Sequence, residues 1–375
     1  MDGIQHYLTL MVDRGASDLF LSAGSPPYLK IDGATRVVEA PALLPGETRA
    51  LAYSMMSPEN QTTFEQKLES NFAFSVDGVG RFRVNVYFQR GDIAMVIRLI
   101  REVIPALDTL GLPPETAELA MLKRGLVLIV GSGGSGKSTT LASMINYRAN
   151  NADDHILTIE DPIEFVFPHH RSLVDQREVG IDTLTYGDAL RNAMREAPDV
   201  IMIGEIRDME TAHHAIAYAE SGHLCLSTMH ANNANQAIER ILNYFPSIAH
   251  KQLLLDLSLH LEAVISQRLI RGLDGKRLVA AELLRKSGYI AEMIRKGNLN
   301  EIKHEMELGN QEGSVTFDQS LLRLYKEGKI SRDEALHNAD SHTDLALLIR
   351  LSEHQSTTEA PSYTLSNVDP DHPSR

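Results

Sequence analysis

The chain has 375 residues, of which 36 are Lys or Arg and 50 are Asp or Glu, so its formal net charge at pH 7 is -14. This acidic balance argues against a passive nucleic-acid coat, because non-specific binding depends on Lys and Arg contacts to phosphates. No nucleic-acid partner is predicted, and a local basic channel is the alternative. The single cysteine, Cys225, excludes an intramolecular disulfide framework and a multi-cysteine zinc site.

Hydropathy and the first residues predict a cytoplasmic protein. The opening segment MDGIQHYLTLMVDRG lacks the pattern of a secretory signal peptide. No apolar run approaches the ~20 residues that span a bilayer, so we expect any membrane contact to be peripheral.

Residues 1–100 predict a small α+β domain. A helix is expected from Ile4 to Arg14, because apolar side chains recur there at helical spacing. In the last strand-like run, Phe82 alternates with Arg81 and Arg83, which predicts one buried and one polar face. The strand-like runs are SDLFLS, PYLKIDG and NFAFSVDGVGRFRVNVYFQRGDIAMVIRLI.

A second domain is predicted over residues 116–351, joined to the first by a proline-containing linker at 101–115. Apolar strand-like runs there alternate with helical patterns, as in a parallel sheet covered by helices. From residue 246 the chain is expected to be mostly helical, and Leu278 to Leu283 is a candidate late strand. The polar segment 352–375 is expected to be disordered. The predicted parallel strands are 125–130, 155–160, 199–203 and 223–228.

The segment GSGGSGKS at residues 131–138 fits the phosphate-binding pattern G-x-x-x-x-G-K-[ST] between a strand and a helix. Its glycines allow backbone N–H groups to turn toward phosphates, Lys137 supplies positive charge, and the Ser138 hydroxyl is a candidate Mg²⁺ ligand. The alternative is a glycine-rich loop with a chance Lys-Ser pair. The predicted ATP-binding residues of the loop are Gly131, Gly133, Gly134, Ser135, Gly136, Lys137, Ser138 and Thr139.

Acidic residues follow two further predicted strands. Glu160 ends the predicted strand at 155–160, and Asp161 and Glu164 follow it. A carboxylate there can orient an attacking water or, alternatively, form a solvated acidic turn. Glu205 follows the strand at 199–203 and is a candidate Mg²⁺ ligand. The alternative there is a buried strand followed only by a helix cap at Asp208.

Two histidines bracket the next strand, and several arginines lie in the first domain. His230 is a candidate γ-phosphate sensor and His223 a weaker one, although a lone histidine is more often structural. Arg81, Arg83 and Arg98 either form a solvated strand face or reach a nucleotide as arginine fingers. Arg90 belongs to the same set.

Together, four segments closely resemble the boxes of the secretion ATPases that drive type IV pili and type II secretion. They occur in the family's order, and within the family the chain is most similar to the retraction ATPases of the PilT and PilU type, especially PilU. The segments are GSGGSGKST, TIEDPIEF, APDVIMIGEIRD and ESGHLCLSTMHANNA.

The resemblance implies a fold and an assembly: a homohexameric ring with a PAS-like N-terminal domain and a RecA-like P-loop NTPase core. It implies that Glu164 polarises the attacking water, that Glu205 supports Mg²⁺ and that His230 lies near the γ-phosphate. It also implies that arginines of the first domain approach the nucleotide, some of them across a subunit interface. Those arginines are Arg81, Arg83 and Arg98.

The function predicted from this resemblance is an ATP-hydrolysing motor that retracts a type IV pilus from the cytoplasmic face of the inner membrane. Its expected partners are a pilus inner-membrane platform protein and a paralogous retraction ATPase. The alternatives are a pilus-assembly or type II secretion ATPase, an accessory ring subunit that supports a paralogous motor, and a P-loop kinase. Assembly and secretion ATPases typically carry a longer N-terminal region and often a tetracysteine module, which a chain with one cysteine lacks.

Overall fold

The computed structural model describes residues 2–31, 33–100, 103–308 and 313–357. Within these ranges no helix combines the length and apolar character needed to cross a bilayer.

The N-terminal part is a six-stranded antiparallel sheet with three helices against one face. The alternation predicted in the fifth strand holds, because Phe82 and Val84 are fully buried beneath the helices while Arg81 and Arg83 project from the other face. The strand order is β3-β2-β1-β6-β5-β4. The elements are α1 (Asp2–Asp13), β1 (Asp18–Ser22), β2 (Tyr28–Ile31), β3 (Ala34–Val37), α2 (Glu47–Met55), α3 (Pro58–Lys67), β4 (Glu69–Val76), β5 (Gly80–Gln89) and β6 (Asp92–Ile100).

Most of the predicted linker packs on the second core. A 3₁₀ turn spans Leu107–Leu110, and Leu107 is buried in the cluster beneath the second sheet, with Ile104 and Leu112 packed against it. The prediction of a simple connection at 101–115 therefore needs correction. From residue 104 onward the segment adds apolar surface to the second core, which fixes its path; Arg101 and Glu102 lie outside the described residues.

The second sheet has seven strands in the order β13-β12-β7-β11-β10-β8-β9, parallel except for the final hairpin. Its central strands β7, β10 and β11 are buried along their whole length, as expected for strands with helices on both faces. The elements as far as the last helix before the hairpin are α4 (Glu115–Ala120), β7 (Gly125–Gly131), α5 (Lys137–Asn151), β8 (His155–Glu160), β9 (Leu173–Glu178), α6 (Tyr186–Ala193), β10 (Val200–Ile203), α7 (Met209–Glu220), β11 (Leu224–Met229), α8 (Ala234–Asn243) and α9 (His250–His260).

Beyond α9, the described part of the chain combines a long hairpin with five helices. One of them, which spans Phe317–Lys326, packs on the hairpin through Phe317 and Leu321, which are fully buried. The elements are β12 (Leu261–Arg271), β13 (Arg277–Arg285), α10 (Gly288–Lys296), α11 (Leu299–Glu307), α12 (Phe317–Lys326), α13 (Arg332–His337) and α14 (His342–Thr357).

Two strands were not predicted, and one boundary was wrong. The described chain after residue 246 is mostly helical, and the predicted late strand at Leu278 to Leu283 lies within β13, but strand β12, which pairs with β7, was not predicted. Most residues of β12 are buried, and buried and exposed positions do not alternate along it, so the spacing of its apolar residues could not identify a strand. The edge strand β9 is short and polar and gave no apolar signal. Helix α14 continues through Thr357, so the disordered tail was placed too early at 352; residues 358–375 lie outside the described residues.

Candidate nucleotide-binding site

A cleft of about 220 Å³ opens at the carboxyl ends of the parallel strands. This is the edge at which open α/β sheets bind their ligands. The sheet brings together here the phosphate loop after β7, the acidic segment after β8 and the ends of β10 and β11. The lining residues are Gly133, Gly134, Lys137, Ser138, Leu141, Ala142, Glu160, Asp161, Pro162, Glu164, Phe165, Phe167, Tyr186, Met202, Gly204, Glu205, Arg207, Thr228 and His230.

The phosphate loop has backbone angles that only glycine adopts readily. Gly134 and Gly136 have φ of 76° and 92°, which places both in the left-handed region. A Cβ on Gly131 would lie 2.4 Å from Ser135 Oγ and 2.6 Å from the backbone oxygen of Gln267, so the close approach of the loop to β12 requires glycine there. The sequence thus folds the loop into a tight turn directly before helix α5.

Lys137 lies inside this loop and is almost fully buried. Its Nζ donates to the backbone oxygens of Gly131 and Ser132, at 2.9 Å each. Burial lowers the pKa of Lys137, whereas the negative charges of Glu205 and Glu164 act in the opposite direction. The ammonium group is therefore held in the loop by carbonyl oxygens and faces two carboxylates of the same cleft.

The loop fits a polyphosphate. Ser135 Oγ is buried without a hydrogen-bond partner in the described residues, so a polar group of a ligand could satisfy it. Ser138 and Thr139 occupy the first turn of the 15-residue helix α5, whose N-terminal N–H groups and dipole favour an anion.

The segment after β8 presents Glu164 to the cleft. Glu164 is exposed, whereas its neighbours Ile163 and Phe165 are buried and anchor the backbone on both sides. Glu160, at the end of β8, is buried and accepts hydrogen bonds from Thr158 Oγ1 at 2.7 Å and Gln176 Nε2 at 3.0 Å. Burial raises the pKa of Glu160 to about 7, so the two acids of this segment differ in environment.

Glu205 and His230 meet across the ends of β10 and β11. His230 Nε2 lies 3.3 Å from Glu205 Oε1, and both side chains are partly exposed to the cleft. Thr228 Oγ1 donates to the backbone oxygen of Gly204 at 2.7 Å and ties the two strand ends together. His223 precedes β11, at the opposite end of that strand, and its Nδ1 contacts Ser221.

Two cleft residues, Tyr186 and Arg207, were given no role in the sequence analysis. The Arg207 guanidinium lies 4.9 Å from the centre of the Tyr186 ring and pairs with Asp161 at 3.2 Å. Arg207 follows Glu205 by only two residues, so its closeness in the sequence to a predicted site residue could have indicated that it also lies in the cleft. No comparable signal marked Tyr186, because only the packing of α6 against β8 brings it to the site.

The three predicted nucleotide-binding arginines of the first domain, Arg81, Arg83 and Arg98, do not line this cleft. Arg98 Nε is bonded to the buried Asp18 within its own sheet. Burial raises the pKa of Glu178 at the end of β9, and the positive charges of Arg81 and Arg83 act in the opposite direction, so both arginines lie within electrostatic range of this acid. Arg98 thus pairs with an acid of its own sheet, whereas Arg81 and Arg83 act on an acid of the second sheet.

A second cleft of about 430 Å³ lies beyond the far end of the phosphate loop. It combines apolar side chains with arginines and adjoins Gly136 and Thr139, which precede and begin α5. No sequence pattern predicted it, because its walls come from the linker, the β12–β13 hairpin and α12. Its lining residues are Thr109, Leu110, Gly111, Leu112, Gly136, Thr139, Thr140, Leu269, Arg277, Leu278, Val279, Arg323, Leu324, Glu327 and Lys329.

The parallel sheet, the glycine-rich loop around Lys137 and the acids at the neighbouring strand ends define a P-loop nucleotide-binding protein. A family model for type II/IV secretion system proteins matches residues 2–316, and the chain belongs to that family.

Characterised relatives and a solved structure are similar over nearly the whole chain. The chain is 47% identical over 358 residues to the type IV pilus ATPase PilU of Pseudomonas aeruginosa, covering 95% of this chain and 94% of the relative. It is 41% identical over 336 residues to the type IV pilus retractation ATPase PilT of the same organism, covering 90% and 98%. The crystal structure of the pilus retraction motor PilT with bound ADP matches with a TM-score of 0.86 and 43% identity, covering 92% of this chain and 99% of that one.

These matches confirm the predicted resemblance to the secretion ATPases and the predicted α/β fold class. The roles of the individual site residues and the domain boundaries remain predictions.

Proposed function

We propose that the chain is an ATP-hydrolysing motor that drives retraction of a type IV pilus. The observation that carries the proposal is the placement of Glu164, whose carboxylate faces the cleft formed by Lys137 on one side and Glu205 on the other. Hydrolysis needs a group that orients water beside the transferred phosphoryl group, and an exposed carboxylate at the edge of a phosphate cradle meets that need. The similarity to PilU and PilT supports pilus retraction as the work performed.

In this proposal the loop residues hold the phosphates of ATP. Lys137 exchanges its bonds to loop carbonyls for phosphate oxygens, and the N–H groups at the start of α5 donate to the same anion. Glu164 orients the attacking water. His230 contacts the γ-phosphate in this proposal, and the 3.3 Å contact of its Nε2 with Glu205 Oε1 supports a role for Glu205 in orienting the ring.

Mg²⁺ is the expected metal, and the side chains present suit it. No group of three or more His, Cys, Asp or Glu in the described part of the chain forms a protein-only metal cage. Mg²⁺ typically uses one or two protein ligands together with phosphates and water, which Ser138 and Glu205 can supply. When bound, the ion would neutralise charge on the β- and γ-phosphates.

The nucleoside fits the second cleft. This cleft adjoins the start of α5, and its apolar side chains Leu269 and Leu278 can contact a flat base, with Arg277 beside them. With its base in the second cleft and its phosphates in the phosphate loop, ATP would extend from one cleft to the other.

The assembly and the partners belong to the same proposal. We expect a homohexameric ring at the cytoplasmic face of the inner membrane, docked peripherally on the pilus platform protein and working with a paralogous retraction ATPase. Arg81 and Arg83 would complete the nucleotide site, because they already approach Glu178 at the neighbouring strand end.

Two variants of the purified protein test the enzymatic proposal. Lys137→Ala should abolish hydrolysis and weaken the binding of a fluorescent ADP analogue, because the charge on the β- and γ-phosphates is lost. Glu164→Gln should bind the analogue like the wild type and lose turnover, since an amide cannot serve as the carboxylate. Glu220→Gln, which removes an exposed carboxylate at the end of α7, is the control. Wild-type turnover by Glu164→Gln would show that the water-orienting role is wrong.

The cellular role needs a separate measurement. Pilus retraction measured in a deletion strain, with and without the paralogue, should be restored by the wild-type gene and not by the Glu164→Gln gene. Retraction at the wild-type rate in the deletion strain that also lacks the paralogue would contradict the proposed function.

A further inference from the structure

The backbone around Glu164 has no helix to hold it. Residues 161–172 connect β8 to β9 without a helix, and Glu164 itself is exposed in that connection. A water-orienting carboxylate must nevertheless keep its position, because small displacements of a reacting group cost large factors in rate. Other side chains must therefore fix this segment.

Gln176 on the edge strand β9 makes the required contacts. Its Nε2 donates to the backbone oxygen of Phe165 at 2.9 Å, and its Oε1 accepts from the backbone N–H of Phe167 at 2.8 Å. These are short, well-formed hydrogen bonds to the segment immediately after Glu164. One side chain thus satisfies both a donor and an acceptor of a segment that contains no helix and no strand of its own.

The same amide also reaches the residue at the start of the segment. Gln176 Nε2 donates to Glu160 Oε1 at 3.0 Å, and Glu160 ends the strand that leads into the acidic turn. Glu178, two residues further along the same face of β9, accepts from the backbone N–H of Ile163 at 3.3 Å. The backbone is therefore held on both sides of Glu164 by the inward-facing row of β9.

We propose that Gln176 is a positioning residue for ATP hydrolysis, which holds Glu164 in place through Phe165, Phe167 and Glu160. Gln176 does not line the cleft, so it acts through the segment rather than on the nucleotide. The inference rests on the proposed role of Glu164. Its consequence is that turnover depends on Gln176 while nucleotide affinity does not.

The test compares turnover with nucleotide affinity in full-length variants. Gln176→Leu keeps the volume and removes all three hydrogen bonds, and we expect kcat to fall at least tenfold while KM and the affinity for a fluorescent ADP analogue stay within twofold. Gln176→Glu keeps the acceptor for Phe167 and removes both donations, so it tests the same inference if the Leu variant does not fold. Asp175→Asn is the matched control, because Asp175 lies on the same strand but faces His155 outside the cleft. Its kcat should be unchanged.

A double variant separates positioning from a general loss of structure. In a Glu164→Gln background, Gln176→Leu should lower the residual turnover by no more than twofold, because the group that it positions is already absent. Parallel losses of kcat and nucleotide affinity in both Gln176 variants, or a further tenfold loss in the double variant, would overturn the proposal. So would a folded Gln176→Leu protein with wild-type kcat. If Glu164→Gln itself turns over normally, the proposed function of Glu164 fails instead, whatever the Gln176 variants do.

Discussion

Arg98 Nε donates a hydrogen bond to Asp18 Oδ1 at 2.8 Å across the paired strands β6 and β1. The Asp18 side chain is 5% exposed and that of Arg98 is 64% exposed, so the pair joins a buried acid to a surface cation. Ser17 Oγ donates to the other carboxylate oxygen of Asp18. Arg98, a candidate nucleotide ligand from sequence, therefore already has a structural partner in the first domain.

Removing Arg98 should destabilise this domain. Arg98→Ala leaves the buried Asp18 with one side-chain donor, and we expect the free energy of unfolding to fall by about 1–3 kcal/mol. Urea unfolding followed by circular dichroism gives the value. In an Asp18→Asn background the same substitution should cost less than about 0.5 kcal/mol, because the charge that needs a partner is gone. An equal cost in both backgrounds would contradict the pairing.

The phosphate loop should tolerate a methyl group at one glycine and not at another. Gly131→Ala places a Cβ 2.4 Å from Ser135 Oγ and 2.6 Å from a backbone oxygen of β12, whereas a Cβ on Gly133 meets no atom within 4 Å. We expect Gly131→Ala to lower the melting temperature of the nucleotide-free protein by several degrees, since overpacking typically costs about 1–3 kcal/mol. Gly133→Ala should melt like the wild type. Equal melting temperatures for the two variants would show that the loop relaxes freely.

Glu160 should make stability depend on pH. Its pKa is raised by burial from 4.5 to about 7, so between these values the unfolded chain releases a proton that the folded chain keeps. The folded state therefore loses stability as the pH rises from about 4.5 through about 7, by on the order of 3 kcal/mol in total.

Substitution by Gln removes this dependence. Relative to the wild type, Glu160→Gln should gain stability as the pH rises across that window and show a constant difference above pH 8. Urea unfolding of both proteins at several pH values measures the difference in their free energies of unfolding. The contributions of all other titrating groups cancel in this difference. A difference that does not change between pH 4.5 and pH 7.5 would show that Glu160 titrates normally.

Arg81 and Arg83 should act on the nucleotide site of their own chain. They approach Glu178, which holds the segment of Glu164 from the same chain. The double variant Arg81→Ala/Arg83→Ala should lose turnover by a factor on the order of 10³, the lower range for an arginine finger. Its ADP affinity should change far less.

Mixed assemblies distinguish this arrangement from action across an interface. When Arg81→Ala/Arg83→Ala chains are co-assembled with Glu164→Gln chains, each chain carries a broken site if the arginines act within their own chain, so activity should not recover. Mass measurement confirms that mixed particles form. Partial recovery in such particles would mean that the arginines of one subunit serve the nucleotide of its neighbour.

The amino-acid sequence by itself determined the phosphate loop and the acids at the strand ends. Residues 131–138 have the required glycine and lysine spacing, and Glu164 and Glu205 each follow an apolar run that predicts a buried strand. These features are local, because a tight turn, a strand and the residue after it are specified within a few positions of one another. The same locality made the family boxes recognisable in order.

Only the tertiary structure decided which distant side chains complete the site. Strand β9 carries too little apolar surface to be predicted, yet its pairing with β8 places Gln176 against the backbone that follows Glu164. Likewise Arg98 and Arg83 are neighbours across β5 and β6, but only Arg98 faces a buried acid on β1. Such contacts depend on strand order and register, which join residues far apart in the chain, and no local pattern encodes them.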